Sequence, residues 1–260
     1  MDFSGTEEIK DLTGIEGFVN LKKLSAIQNE IAIVNLEFNK DLEILLLSGN
    51  LLSSIYLSFN THLINVNIES NNLTTFTGIP NATGLKELNL SFNSLEAFSI
   101  DNTSLELLLI SDNLLKTFNV NDAINLKSIF IKSNLIEAVD VTNNTLLETL
   151  VVSDNKIQSV NLEQNPKLTH ICISSNLLTS LDVSSLQNLI WLTINNNPNL
   201  TCVKIKNGQN IPTVTKLENQ KLNTICNYIT YKVKTRPCRV KTTNLLIDLR
   251  FLNILIVSLL

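Results

Sequence analysis

The sequence predicts a solenoid, in which short coils stack side by side. A parallel β-sheet runs along one face, short strand-like or 3-10 turns run along the other, and curvature is low. Three observations carry this reading. Residues 147–157, LETLVVSDNKI, have the form L-x-x-L-x-V-x-x-N-x-I, and the same string starts at Leu21, Leu42, Leu63, Leu85, Leu105, Leu126, Leu168 and Leu189. The spacing is 21 residues, broken once by 22 and once by 20, so nine copies run in register. The ninth place is Asn in every copy, from Asn29 through Asn113 and Asn155 to Asn197. A fixed period of this length marks a stacked-repeat architecture.

Each place in the string has a physical reason. The x-L-x-L-x portion alternates with period two, as a short strand with one buried face does. Parallel strands lie about 4.8 Å apart, so nine would form a sheet roughly 40 Å long. The chain must then turn, and the Asn amide carries both a donor and an acceptor for backbone groups that the turn leaves unpaired. Stacked copies therefore predict an Asn ladder inside the solenoid. The second half of each copy is also regular, as in Ile31-x-x-Val34-x-Leu36-x-x-Asn39 and Ile157-x-x-Val160-x-Leu162-x-x-Asn165. It is too short for a helix and predicts a second extended segment. The second Asn series that it carries is broken at Ala123 and Leu186.

Taken in order, residues 1–20 form an N-terminal cap. There Ile9, Leu12, Ile15, Phe18 and Leu21 recur every three residues and suggest a tight helical or half-repeat turn. Residues 21–208 are the solenoid of about nine repeats. Gly78, Pro80 and one extra residue predict a small bulge at 76–85. From Asn199 the pattern decays: Leu200, Val203 and Ile205 resemble a last strand, Asn207-Gly208 marks a turn, and 209–226 complete a C-terminal cap. Residues 227–260 differ in kind, basic over 227–243 and apolar over 244–260.

The repeat string resembles that of leucine-rich-repeat proteins, in the bacterial 21–22-residue form of internalin-like proteins and secreted repeat proteins of Bacteroidetes-type bacteria. The resemblance covers about residues 9–208. IKDLTGIEGFVNLKKL is similar to the cap-to-repeat junction of those proteins, and SLDVSSLQNL and NPNLTCVKI to their later repeats. It implies a secreted or cell-surface protein that binds other proteins or surface molecules. The fold hosts many roles, so the resemblance implies an architecture more than an activity.

Composition narrows the classes. Apolar residues make up 44% of the 260 and charged residues 17%, so Asn, Ser and Thr supply much of the polar surface. The net charge is −4; the tail holds +5, which leaves −9 on residues 1–226. An acidic body argues against nucleic acid as a partner. The first residues, MDFSGTEEIKDL, lack a charged-then-apolar signal segment, which leaves either the cytoplasm or a start upstream of Met1. In the tail, LLIDLRFLNILIVSLL is interrupted by Asp248 and Arg250, short of the roughly 20 apolar residues of a spanning helix. A membrane anchor, an amphipathic tail and an out-of-frame end stay open, and membrane contact is expected only through 244–260. Of the four cysteines, Cys202 and Cys226 could close a 24-residue loop in an oxidising compartment. Spacing alone favours four unrelated thiols.

The candidate site follows from the repeat. Places three and five project from the strand to solvent and have no packing reason to be apolar. Yet Leu107, Leu109, Phe130 and Val151 occupy them on adjacent strands, and His170, Cys172 and Trp191 continue the patch; Ile44 and Leu46 form a smaller group. An apolar patch with Phe and the chain's single Trp is a candidate protein-binding surface. The plainer reading is strand propensity alone. Places seven and eight are mostly Ser, Asn and Asp, suited to a hydrated rim. His170 and Cys172 share a strand face but have no third orienting group, so catalysis is not expected. His62 has no metal partner at ligand spacing, and Asp112 and Asp154 fall on non-adjacent repeats, a poor calcium cluster. No metal, cofactor or enzymatic activity is expected. The sequons at Asn72, Asn81, Asn89, Asn102, Asn143 and Asn199 match by composition. The expected function is a non-enzymatic module that binds a protein through the exposed sheet face, with a glycan also compatible. The alternative is a rod that presents a domain missing from this chain.

Overall fold

The computed structural model describes residues 1–5, 8–77, 79 and 81–226. The tail expected at 227–260 lies outside the described residues, as do Gly78 and Pro80 of the expected bulge.

The chain folds as a parallel-strand solenoid. Its front is one ten-stranded parallel sheet: Lys23–Ser25, Ile44–Leu46, Asn65–Asn67, Glu87–Asn89, Leu107–Leu109, Ser128–Phe130, Thr149–Val151, His170–Cys172, Trp191–Thr193 and Thr213–Thr215. The strands follow sequence order, and each central residue pairs with the central residue of the next, as Leu150 does with Ile129 and Ile171. Strands of three residues suffice because each of the first nine buries one side chain at its middle, from Leu24 to Leu192, all with 0–1% exposure. The residue two places on, from Ala26 to Ile194, is fully buried as well. Fully burying each Leu or Ile contributes about 1.5–3 kcal/mol, so the narrow core is stabilised coil by coil.

The back is interrupted. Ala97–Ser99 pairs with Thr117–Asn119, and Leu181–Asp182 pairs with Cys202–Lys204, which pairs with Lys221–Asn223. Isolated bridges join Asp11 to Ile33 and Tyr56 to Thr77. Residues 200–205, expected as a last strand, therefore belong to the back. The front instead gains Thr213–Thr215 within the stretch expected as cap.

Two Asn ladders tie the coils together, and they differ in chemistry. In the first, Asn155 Nδ2 donates to Ile131 O (3.0 Å) and Val152 O (3.2 Å), and its Oδ1 accepts from Ile136 N (3.1 Å). Asn50, Asn71, Asn93, Asn113, Asn134, Asn176 and Asn197 repeat this pattern with the preceding coil. The second ladder ties coil to coil by donors alone, and among the described residues only Asn102 Oδ1 also accepts, locally from Ser104 N (3.0 Å). Asn60 Nδ2 reaches Leu36 O (3.0 Å) and Asn39 O (2.9 Å), and Asn165 reaches Val141 O and Asn144 O, while the Oδ1 atoms of Asn39, Asn60, Asn144 and Asn165 have no partner. Glutamines take over at the C-terminal end. Gln209 Nε2 donates to Val183 O and Leu186 O, and the fully buried Gln220 donates to Ile194 O.

The turn out of each front strand needs left-handed backbone one residue before the ladder Asn. Gly49 has φ 68°, and Gln28, Ser70, Phe92, Asp112, Ser133, Asp154, Ser175 and Asn196 have φ of 52–57°. Side chains in this region are strained, Phe92 most of all, because its bulk favours other backbone. Place eight, read as a hydrated rim, is thus set by the turn. Place seven is partly structural too: Ser91 Oγ accepts from Ser111 N (3.2 Å), and Ser111 Oγ from Lys132 N (3.1 Å).

At the N-terminus, residues 1–5 lie along the first front strand, where Phe3 N donates to Ser25 O (2.7 Å) and Asp2 bridges Ser25. Phe3, Ile9 and Leu12 pack on the core, and the three-residue spacing resolves into a 3-10 turn at Ile15–Gly17. At the other end a disulfide joins Cys202 to Cys226, with Cα atoms 5.7 Å apart, which corrects the expectation of four unrelated thiols. It ties the last back strand to the one before it, so strand pairing brings together two thiols 24 residues apart. A closed loop of that length removes about 3 kcal/mol of chain entropy from the unfolded state. Cys226→Ser should lower stability by about that amount and open hydrogen exchange at Lys221–Asn223. Unchanged melting with and without reductant would show that the bridge does not hold the end.

Candidate interaction surface

The parallel register decides which outward residues meet. At place five, Leu109 lies beside Phe130, Phe130 beside Val151, and Val151 beside Cys172. At place three the run is Leu107, Ser128, Thr149, His170 and Trp191. An apolar row therefore crosses four adjacent strands, with Leu107 at one end and Trp191 diagonally beyond the other. The strand-to-strand spacing of about 4.8 Å makes the row roughly 14 Å long. Leu107, Leu109, Phe130, Val151 and Cys172 are half-buried, while His170 and Trp191 are exposed, Trp191 at 42%. Ile44 and Leu46 are half-buried on the second front strand. Two polar strands separate them from the row, where Asn65 Nδ2 donates to Glu87 Oε2 (2.5 Å) and Asn89 Nδ2 to Glu69 Oε2 (2.9 Å). The structure thus joins seven of the nine predicted residues and sets Ile44 and Leu46 apart.

His170 and Cys172 share a face, as their spacing implies. Cys172 is a free thiol, and His170 Nδ1 shares a 2.8 Å hydrogen bond with Thr169 Oγ1. Among the described residues no three His, Cys, Asp or Glu side chains converge to hold a metal ion. The sequon Asn102 is buried and donates to Ala82 O, so that side chain belongs to the scaffold.

One edge of the front sheet is lined with paired charges. At place two, Lys22 meets Glu43 (2.8 Å), and Glu106 accepts from both Lys127 (2.6 Å) and Lys86 (2.8 Å). Hydrogen bonds from Lys127 and then Lys86 bring the Glu106 carboxyl down to about 2, so it is ionised at any physiological pH. Exposed pairs of this kind are screened by solvent and add little to stability. Their larger effect is to neutralise the border of the apolar row.

The repeat, the two-sided coil and the Asn ladder define the class: a leucine-rich-repeat solenoid. Solved structures agree. The functional domain of InlJ from Listeria monocytogenes, which includes a cysteine ladder, is 24% identical with a TM-score of 0.58 over 84% of this chain and 53% of its own. A leucine-rich-repeat protein of Leptospira interrogans is 22% identical with a TM-score of 0.66, over 83% of this chain and 65% of its own. The ectodomain of a plant membrane receptor kinase from Arabidopsis thaliana, in complex with Casparian strip integrity factor 2, is 19% identical with a TM-score of 0.68, over 80% of this chain and 28% of its own. The chain thus spans about a quarter to two thirds of these proteins. At such identities the likeness establishes the fold. No protein-family model and no curated protein matches the chain.

Proposed function

We propose that this protein is a non-enzymatic interaction module that binds a protein partner through the front sheet, centred on Leu109, Phe130, Val151 and Cys172, with Leu107, His170 and Trp191 at the margins. The observation that carries the reading is the register-aligned apolar row on strands whose buried faces are already filled. Nothing in the coil requires apolar side chains there, and a desolvated Phe and Trp are the residue types that dominate interface energetics. The Arabidopsis ectodomain, a solenoid of the same fold, is in complex with Casparian strip integrity factor 2, which supports a protein partner in general terms. Export is part of the proposal. The Cys202–Cys226 disulfide suits an oxidising compartment, and among the described residues no helix is long and apolar enough to cross a membrane.

The test compares the proteins retained by the immobilised wild type with those retained by the triple variant Leu109→Ser, Phe130→Ser, Trp191→Ser. Loss of a hot-spot cluster should weaken a retained partner by about 100-fold, with melting temperature little changed because these side chains face outward. Ile44→Ser with Leu46→Ser should leave the same partner bound. An identical retained set for the triple variant would favour the presenting-rod reading instead.

A further inference from the structure

A second surface has no counterpart in the sequence reading. Between the N-terminal cap and the back half of the first coil lies an open cleft of about 510 Å³, lined by Asp11, Leu12, Glu16, Ile33, Val34 and Phe38 among others. Its apolar wall is unusually exposed, Ile33 at 76% and Phe38 at 51%. On the next coil Tyr56 and Phe59 extend the apolar surface, 59% and 42% exposed, with rings 5.9 Å apart edge to face. A contiguous exposed apolar surface, unlike single scattered apolar residues, is the kind that marks an interaction site. The charged groups on the lining, Asp11 and Glu16, are both acidic. The nearest cap lysine, Lys10, is engaged with Glu30 at 3.2 Å.

We infer that this cleft is a docking site for an extended polypeptide segment that alternates apolar side chains with Lys or Arg. The apolar positions would cover Ile33, Val34 and Phe38, and the cations would face Asp11 and Glu16. The rim charge argues against a second copy of this chain, because self-pairing would bring four carboxylates together. It argues equally against an anionic lipid surface. The site lies on the back of the coil, and its occupation is independent of the front-sheet reading.

Fluorescence anisotropy on the full chain tests it, with three labelled synthetic hexapeptides alternating leucine with lysine, leucine with glutamate, and serine with lysine. The leucine–lysine peptide should bind at least tenfold tighter than the other two. Ile33→Ser with Phe38→Ser should weaken it at least tenfold; both side chains are exposed, so the fold should survive, which circular dichroism checks. Glu16→Gln should weaken it severalfold and flatten the salt dependence. The front-sheet triple variant should bind like wild type, which separates failure here from failure of the front-sheet reading. Three results would overturn the inference: equal binding of the leucine–glutamate peptide, which means apolar adhesion; equal binding of the serine–lysine peptide, which means attraction to the acidic body; or no measurable binding of any peptide.

Discussion

Asn155→Ala should lower the unfolding free energy by about 2–3 kcal/mol, whereas Asn144→Ala, half a coil earlier and also buried, should cost about 1 kcal/mol. The difference lies in what each amide leaves behind. Asn155 Oδ1 accepts from Ile136 N, a buried donor that strand pairing does not serve, so truncation orphans it. Asn144 only donates, to Val120 O and Ala123 O. Both carbonyls keep a backbone partner, from Ala123 N and Leu126 N. An orphaned buried donor costs its whole desolvation, while a carbonyl that loses one of two bonds does not. The chain itself runs part of this experiment: the first ladder is Asn in all nine copies, and the second tolerates Ala123 and Leu186. Asn155→Asp keeps the acceptor but points a carboxylate at Ile131 O and Val152 O, and should be at least as harmful as Ala. Urea titrations of the three variants give the comparison. Equal costs at Asn144 and Asn155 would rule out the donor–acceptor asymmetry.

The repeat made the fold legible because one string states the buried face, the turn and the period at once. What the string leaves free was harder to read. The front row could be placed by counting, since a period of 21 with parallel register puts Leu109, Phe130 and Val151 side by side. The left-handed turn could not, because Gly49 alone advertises it and eight other residues, of five types, occupy the same conformation. Gln209 and Gln220 were missed because they sit off the period, and a longer side chain reaches the same carbonyls from further along the chain. The Cys202–Cys226 bridge depends on pairing between back strands that the fading pattern does not announce. The exposed Ile33, Phe38, Tyr56 and Phe59 carried a signal that went unused, being large apolar residues at places the core template does not require.

Leu150→Ala, at the middle of the seventh front strand, should cost about 3–5 kcal/mol and also change the shape of unfolding. Leu150 is fully buried and in register with Ile129 on one side and Ile171 on the other. In a stack each coil touches only its neighbours, so the cavity weakens two interfaces and nothing bridges around it. The coils before and after should then unfold separately, in two urea transitions or one with a reduced slope. Val214→Ala tests the same place of the repeat at the end of the stack. Val214 is only half-buried, with a single front neighbour in Leu192, so it should cost under about 1.5 kcal/mol with the slope preserved. Circular dichroism and tryptophan fluorescence together separate the halves, because Trp191, the chain's single tryptophan, reports on the C-terminal coils alone. Coincident transitions by both probes in Leu150→Ala would show that the solenoid is more cooperative than nearest-neighbour stacking allows. A compact contact spanning several coils would then have to exist beyond the ladders described above.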